Sequence, residues 1–403
     1  MTRIAIIGGG IGGLYAAYLL KNKNPSYSIT ILEANDRIGG RIHTIHKHGV
    51  QYEGGAGRFS SDHRHLMQLI KDLGLKDTLY DMKGSKIYIK DSKPQTSFKE
   101  APYMDRLNRA AQKYTTSQLK NKNMLFFMRE VLSPSESDDL IYAFGYQSEF
   151  EACSAFHALR SLNRNFLASV THHGLQGGMS SVVYSLVTLL RHLGCDIKTS
   201  WRVTHVDTET MAIQGIHKEK PGIIKCDRIV FTVTKPVLQS LLPKDQHLQR
   251  TLTTVANNPL SRIYAKFPAP AWFEGLPRVC TNNSLRHIIP INAKTGLIML
   301  CYTDGMWAHL WRDIKNKKML QQELMKQVRC LFPDKSIPDP EWIDEIFWST
   351  GCHYPMKGYQ PYTQPFANKY VVAGEAMAEE CNAWVEGALI TTHKAIQKLN
   401  ETL

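Results

Sequence analysis

Glycines recur near the start of the chain at the spacing of a phosphate-binding turn. Segment 8–13 fits the pattern G-x-G-x-x-G at Gly8, Gly10 and Gly13. The first glycine permits a tight turn, the second lets the backbone approach a pyrophosphate, and the third lets a helix pack closely on a sheet. Free N–H groups at the start of that helix would bind the phosphates. We therefore predict dinucleotide contacts at Gly8, Gly10, Ile11, Gly12 and Gly13.

Two strands and a helix must position this turn. Residues 3–7 form a short apolar run before the glycines, and apolar residues then recur at helical spacing. A second alternating run, 27–33, ends at Glu33, 20 residues after Gly13. An acid at this position accepts hydrogen bonds from ribose hydroxyls. We expect a β-α-β unit with Glu33 and Ala34 at the cofactor.

Two further glycine segments suit close approach to a ligand. In segment 37–41, two glycines lie between two arginines, a composition that places the backbone and fixed positive charge beside a diphosphate. Segment 54–58 supplies a second close-approach loop with an arginine at its end. The predicted contacts are Arg37, Gly39, Gly40, Arg41, Gly55, Ala56, Gly57 and Arg58.

These segments resemble the flavin-dependent amine oxidase family, which includes monoamine, polyamine and L-amino-acid oxidases. The resemblance implies FAD, whereas the glycine pattern alone also permits NAD. It implies a Rossmann-like α/β FAD-binding domain of the glutathione-reductase type, built from residues 1–60, 170–235 and 345–403. A second, α+β substrate-binding domain would comprise residues 61–169 and 236–344.

The end of the chain carries the second half of the resemblance. A strand that ends at Gly374 and Glu375 resembles the family segment that meets the ribityl or phosphate part of FAD. Trp384 matches the aromatic on the flavin face, and N–H groups near Val385 would stabilise negative charge on the reduced flavin. Val203 matches the residue whose backbone meets the adenine.

Three residues are candidates for the substrate side. Where most characterised family members carry a lysine beside the flavin, this sequence places Arg262, and Lys266 is the alternative if the register shifts. Arginine stays charged and binds as a planar fork, so it would hold a water differently or bind a substrate carboxylate. Tyr359 is the candidate second aromatic opposite Trp384.

The resemblance leaves the flavin linkage open. Cys352 lies in a Gly-Cys setting similar to the covalent site of monoamine oxidases, although His353 follows it, so non-covalent FAD is the main expectation. The eight cysteines include no CxxC pair, which favours reduced thiols in a cytosolic protein and predicts no metal site.

The predicted reaction is oxidation of an amine C–N bond. A hydride equivalent would pass to flavin N5, and O₂ would become H₂O₂. The amine is a polyamine, a monoamine or an amino acid, and the central arginine favours an amino acid. Alternatives are another FAD-dependent oxidoreductase of this fold, of the desaturase or protoporphyrinogen oxidase kind, or a flavoprotein that binds without turnover.

Length and charge limit the possible domain number and partners. The 403 residues suggest two domains, and no apolar run is long enough to span a membrane. The formal net charge is +13, but the basic residues are spread along the chain, so a basic surface is favoured over a nucleic-acid interface. We expect a soluble cytoplasmic protein whose oligomeric state the sequence leaves undetermined.

Periodicity also predicts elements away from these motifs. Helices are expected near 62–75, 103–114, 138–150 and 180–193. Strands are expected at 195–206, 225–233 and 258–268.

Overall fold

The computed structural model describes residues 1–82, 84–166, 170–364 and 369–401. The strands are β1 (Arg3–Ile7), β2 (Ser28–Leu32), β3 (Thr44–Lys47), β4 (Val50–Glu53), β5 (Phe59–Ser60), β6 (Leu79–Asp81), β7 (Lys86–Lys90), β8 (Lys93–Pro94), β9 (His172–Leu175), β10 (Asp196–Lys198), β11 (Trp201–Asp207), β12 (Ala212–His217), β13 (Lys220–Lys225), β14 (Arg228–Phe231), β15 (Val255–Lys266), β16 (Arg278–Thr281), β17 (His287–Asn292), β18 (Leu297–Asp304), β19 (Trp342–Pro355) and β20 (Tyr370–Val372).

The helices fill the intervals between the strands. They are α1 (Ile11–Lys23), α2 (Arg64–Asp72), α3 (Ala101–Ala111), α4 (Thr116–Lys120), α5 (Met124–Val131), α6 (Pro134–Phe144), α7 (Ser148–Glu151), α8 (Ala155–Asn165), α9 (Ser180–His192), α10 (Lys235–Leu241), α11 (Gln246–Thr253), α12 (Gly305–Asp313), α13 (Lys317–Leu331) and α14 (Val385–Asn400). None of the helices in the described ranges is both long and apolar enough to cross a membrane.

A parallel sheet of five strands carries the N-terminal motif. Its order is β10-β2-β1-β14-β20, with β1 paired in parallel to both β2 and β14. The strand order therefore reverses at β1, and open α/β sheets bind their ligands in the crevice at such a point. The apolar residues beneath α1, α9 and α14 form one core of this α/β layer.

A second sheet of seven strands lies beyond this layer. Its order is β19-β15-β18-β17-β16-β7-β8, and its pairs are antiparallel except that between β7 and β16. Helix α13 packs on its apolar face, and helices α3 to α8 gather around a separate core. The mixed α/β class with a second α+β unit is the predicted fold.

The strand predicted across 195–206 is wrong as one element. The structure divides it into β10, which joins the parallel sheet, and β11, which pairs with β12 in a three-stranded sheet. The chain turns between them at Ser200, whose φ is +53°. Apolar alternation continues through the turn, so periodicity alone does not mark it.

The domain division remains a prediction, and two segments lie across its boundaries. Helix α2, placed by sequence in the substrate-binding unit, packs against α14, and its Leu66 and Leu69 belong to the core of the parallel sheet. Strand β19 continues ten residues past position 345, to Pro355, while paired with β15. Each of these two segments therefore makes contacts in the unit to which the sequence did not assign it.

Candidate active site

The glycine turn has the geometry that the sequence predicts. Gly8 has φ +108°, a region that L side chains rarely adopt. A Cβ on Gly13 would come within 1.9 Å of the Gly8 carbonyl oxygen, so only glycine allows α1 to pack this closely on β1. At Gly10 a Cβ would meet nothing nearer than Gly40 Cα at 4.0 Å. The backbone at Gly10 is therefore bare toward the cavity that it lines.

The start of α1 is left free for an anion. Gly10 is its N-cap and provides no side-chain hydrogen bond, and no acidic residue occupies the first turn. The first N–H groups of a helix lack partners within the helix, and the macrodipole places partial positive charge there. This end of α1 can bind phosphate through backbone alone.

Glu33 lies buried at the end of β2 and faces the same cavity. The Gly9 N–H donates to its Oε2 at 2.8 Å, and the backbone and side-chain N–H groups of Asn35 donate to its Oε1 at 2.9 and 2.7 Å. These donors fix the carboxylate, yet an ionised carboxylate has about four lone-pair sites. It can still accept hydrogen bonds from a ribose.

The segment after Glu33 folds onto the glycine turn. Gly39 and Gly40 have φ +111° and +56°, and the Gly39 N–H donates to the Gly9 carbonyl at 2.9 Å. The Arg37 guanidinium holds the loop closed by donating to the Gly40 and Ile42 carbonyls. The two glycine segments thus form one cradle.

Arg41 connects this cradle to the C-terminal motif. Its Nη1 donates to Glu375 Oε2 at 2.7 Å, and Glu375 Oε1 accepts from the backbone N–H groups of His353 and Ala383 at 2.9 Å each. Burial alone would raise the pKa of Glu375, but the charges of His353 and Arg41, with the hydrogen bonds, hold it well below its usual range. Glu375 is therefore a carboxylate at neutral pH.

One cavity of about 1320 Å³ joins these parts. Almost every residue predicted at the cofactor lines it: Gly8, Gly10, Ile11, Gly12, Glu33, Ala34, Arg37, Gly39, Gly40, Arg41, Gly55, Ala56, Gly57, Arg58, Val203, Gly374, Glu375, Trp384 and Val385. Gly13 does not, because it lies behind the turn against Gly8. The roles of these residues toward a cofactor stay predictions.

The structure separates the two candidate cations of β15. Arg262 is buried at 8% exposure and lines the cavity, and its Nη1 donates to the carbonyls of Glu53, at 2.8 Å, and Gly55. Its guanidinium lies 4.4 Å from the ring centroid of Tyr302. Lys266 instead forms an ion pair with Glu341 outside the cavity. This corrects the alternative assignment to Lys266.

Tyr359 is also placed away from the cavity, which corrects its prediction as the second aromatic. It follows a turn after β19, and its ring packs edge-on against His157 at 5.5 Å. Cys352, which precedes that turn, does line the cavity. Burial raises the pKa of the Cys352 thiol far above its usual range, so the thiolate is suppressed.

The ring that stacks on Trp384 is that of His172, which sequence reasoning missed, while His63 lies edge-on to Trp384 at 5.1 Å. The rings of His172 and Trp384 stack at 5.8 Å with 15° between planes, and Phe166 lies 6.0 Å from Trp384. Burial, with the charges of Arg58 and Arg278, lowers the pKa of His172 to about 3. The imidazole is thus neutral at pH 7, and its Nε2 has no hydrogen-bond partner among the described residues.

Five further lining residues were also missed: Tyr146, Glu149, Arg278, Tyr302 and Asp304. Tyr146 lies between α6 and α7, Glu149 is on α7, Arg278 begins β16, and Tyr302 and Asp304 are both on β18, so no single motif marks them. Within the described ranges, no three His, Cys, Asp or Glu side chains are grouped to hold a metal ion.

Comparison with known proteins identifies the kind of protein to which this cavity belongs. A model of flavin-containing amine oxidoreductases matches residues 11–398. The chain belongs to this family. As a member of the flavin-containing amine oxidoreductases, it is a flavin-dependent oxidoreductase.

Relatives within and near the family are of several kinds. Probable polyamine oxidase 4 of Arabidopsis thaliana is 26% identical, over 98% of this chain and 86% of that protein. Coproporphyrinogen III oxidase of Bacillus subtilis is 39% identical over 90 residues, a match that spans only 21% of this chain and 19% of that protein. A double mutant of putrescine oxidase has the same fold, with a TM-score of 0.80 at 17% identity over 99% of both chains.

The residues present fit the flavin that the family name implies. The bare backbone at Gly10, the uncapped start of α1 and the fixed carboxylate of Glu33 suit a phosphate and a ribose. The first turn of α14 lines the cavity at Val385 and Ala388, beside Trp384. The remaining volume lies among aromatic rings and arginines.

Proposed function

We propose that this chain is an FAD-dependent amine oxidase that oxidises the C–N bond of a small amine with O₂ as acceptor and H₂O₂ as product. The observation that carries the proposal is the single cavity, which extends from the glycine cradle to Trp384, His172 and Arg262. Glu33 supports FAD, because a carboxylate at the end of the second strand suits an adenosine ribose.

The bound flavin would accept a hydride equivalent from the carbon next to nitrogen and pass the electrons to O₂. The chain's own residues would orient and enclose the substrate. Trp384 and Phe166 supply apolar walls that exclude water, and the neutral His172 ring stacks on Trp384. Arg262 fixes the turn that presents Gly55 to the cavity.

Backbone N–H groups at the start of α14 would oppose charge that develops during the reaction. No side chain caps this helix, whose first residue, Val385, lines the cavity. Positive charge at a helix N-terminus stabilises an anion placed there.

Non-covalent attachment is the second part of the proposal. A cysteine forms a covalent bond through its thiolate, and burial suppresses the thiolate of Cys352. Precipitation of the protein in acid is expected to leave all flavin in the supernatant. Yellow precipitate would contradict this part.

The cysteines support a reducing, cytoplasmic location. All eight are free, and seven of them are buried. Chains of reducing compartments keep their thiols unpaired. Alkylation of the denatured protein, prepared without reductant from its native cells, is expected to modify eight thiols.

An anaerobic visible spectrum tests the reaction. Purified holoenzyme is mixed with a panel of polyamines, monoamines and L-amino acids, and one class is expected to remove the oxidised-flavin bands. Readmission of air should restore the bands and yield H₂O₂ in a peroxidase-coupled assay. Bands that survive every amine would contradict amine oxidation, and purified protein without flavin would contradict the cofactor assignment.

A second candidate is oxidation of a carbon framework instead of an amine. The 90-residue match to coproporphyrinogen III oxidase favours it. The same spectrum distinguishes the two, because coproporphyrinogen III would then reduce the flavin while every amine fails.

A further inference from the structure

Three arginines from separate parts of the chain face the substrate end of the cavity. Arg58 follows the Gly55 turn, Arg262 lies on β15, and Arg278 begins β16. We use the name arginine chamber for these three residues with Tyr146 and Tyr302, all of which line the cavity.

Two of these guanidiniums converge on one oxygen. Arg58 Nη2 and Arg278 Nη2 each donate to Tyr146 Oη at 3.2 Å. Burial alone would raise the pKa of Tyr146, but the two arginines lower it below its usual value. A single phenol is a weak counterpart for two fixed cations.

The arginines retain unused donors. Arg262 and Arg278 each have an Nε that is buried without a hydrogen-bond partner in the described part of the chain. A guanidinium carries five N–H donors and does not lose its proton in proteins. Because both Nε atoms are enclosed by the protein, a planar, bidentate acceptor in the chamber would use the remaining Nη donors.

The carboxylates on the cavity wall have partners other than the chamber arginines. Asp304 accepts the backbone N–H groups of Gln147 and Ser148 at 3.1 and 3.0 Å, and burial raises the pKa of Glu149 to about 7. Glu53 is bound by Thr44 and Met179.

No ion pair involves any of the three arginines within the described ranges. Burial lowers the pKa of each of the three arginines most strongly, and the groups that then act on their pKa values are tyrosines, a cysteine and one another. Buried charges require a partner. In the described part of the chain, the carboxylates of Glu53 and Glu149 act on Arg262 and Arg58 only from beyond ion-pair distance.

We propose that the arginine chamber binds a carboxylate of the substrate, so that the amine oxidised is an amino acid and not a polycationic amine. This inference rests on the proposed function for the amine half of the substrate. The amino group would lie toward Trp384 and His172, and the carboxylate would pair with Arg58 and Arg278. A diamine would place a second ammonium beside two guanidiniums that repel it.

Binding of redox-inert probes tests the chamber without turnover. Benzoate and benzamide have the same shape and differ in charge, and their affinity for the holoenzyme is measured by titration calorimetry. We expect benzoate to bind at least about tenfold tighter, because a hydrogen bond to a charged group is stronger than a neutral one. Equal affinities, or no binding of benzoate, would overturn the proposal.

Variants locate the binding. Arg278→Gln is expected to weaken benzoate on the order of 10- to 100-fold and leave benzamide unchanged, and Arg278→Lys should keep part of the preference. Arg109→Gln, at an exposed arginine on α3, is the matched control and should bind both probes as the wild type does. An Arg278→Gln protein with unchanged benzoate affinity would contradict the site, and the wild-type comparison of the two probes stands if this variant fails to fold.

Pairs of substrates that differ by one carboxylate separate this inference from the proposed function. L-ornithine and 1,4-diaminobutane form one pair, and L-phenylalanine and phenethylamine form the other. We expect the amino acid of each pair to reduce the flavin at least about tenfold faster. Faster reduction by the decarboxylated members would overturn the carboxylate inference and leave amine oxidation intact. Tight benzoate binding with no reduction by any amine would support the chamber and contradict amine oxidation.

Discussion

At the scale of single residues, the close contact between Gly13 and Gly8 makes a sharp prediction. A Cβ at Gly13 would lie 1.9 Å from a backbone oxygen, which cannot move without displacing β1 or α1. We expect Gly13→Ala to destabilise the protein by about 3 kcal/mol or more and to lower its flavin content, since overpacking strains the turn. Urea unfolding and the ratio of flavin to protein absorbance measure both effects.

A glycine on a strand serves as the control for that substitution. A Cβ at Gly222 would meet only Trp201 at an ordinary 3.4 Å, so Gly222→Ala should change stability by no more than about 0.5 kcal/mol. Full flavin content in Gly13→Ala would show that the helix can shift without opening the cradle.

Glu375 supports a prediction about acid stability. Its carboxylate pairs with Arg41 and receives two backbone N–H groups, so Glu375→Gln is expected to cost about 3 kcal/mol by leaving Arg41 uncompensated. The folded-state pKa lies below the ordinary value of 4.5, so this stabilisation is present above pH 4.5 and is lost as the pH falls below it. The gap between wild type and variant in unfolding free energy should therefore narrow from pH 5 to pH 3.

An exposed acid on α3 provides the comparison. Asp105→Asn removes one carboxylate at the surface, and its unfolding free energy should depend on pH as that of the wild type does. If the unfolding free energy of Glu375→Gln stays below that of the wild type by the same amount between pH 5 and pH 3, Glu375 does not titrate with a lowered pKa.

At the scale of elements, Arg262 joins β15 to the turn after β4. One guanidinium donates to the carbonyls of Glu53 and Gly55, and the amine of a lysine cannot reproduce this planar geometry. We expect Arg262→Lys to lower stability by about 2 kcal/mol and to slow flavin reduction by the best amine at least about tenfold, because the turn is displaced. Stopped-flow reduction and urea unfolding measure the two effects.

The neighbouring cation on the same strand is the matched control. Lys266→Arg keeps the charge beside Glu341 outside the cavity, so its reduction rate should equal that of the wild type. A large gain in reduction rate with Arg262→Lys would mean that the arginine has replaced a catalytic lysine, and that this chain is a decayed oxidase.

Elements also show where sequence reasoning succeeds and where it stops. The cradle was predictable because its glycines and Glu33 are linked by one short β-α-β unit, whose local geometry dictates residue type. Tyr359 was misplaced because a turn after Pro355 redirects the chain. Arg278 and Tyr146 lie 132 positions apart and meet only through tertiary packing, which no local pattern encodes.

At the scale of the whole molecule, the cavity wall combines groups that fold together from distant segments. The parallel sheet takes strands from near both ends and the middle of the chain, and the seven-stranded sheet takes its strands from between them. The charges on the wall are therefore brought together only in the folded state. The stability of the molecule must then depend on pH through the groups that burial perturbs most.

Glu149 on α7 gives one such effect near neutral pH. Burial raises its pKa from 4.5 to about 7, with Asp304 on β18 adding to the shift, while Ser161 on α8 and Arg58 oppose it. Between pH 4.5 and 7 the unfolded chain releases this proton and the folded chain retains it, so stability falls as the pH rises through that range and levels off above pH 7. Glu149→Gln cannot ionise. We therefore expect the difference in unfolding free energy between this variant and the wild type, measured by urea unfolding, to shift by about 3 kcal/mol in favour of the variant from pH 4.5 to pH 8.

Glu209→Gln, at an exposed acid, is the control, and its unfolding free energy should follow that of the wild type throughout this pH range. Parallel curves for Glu149→Gln and the wild type would mean that Glu149 is ionised in the folded state, and that its charge then offsets Arg58 in the arginine chamber.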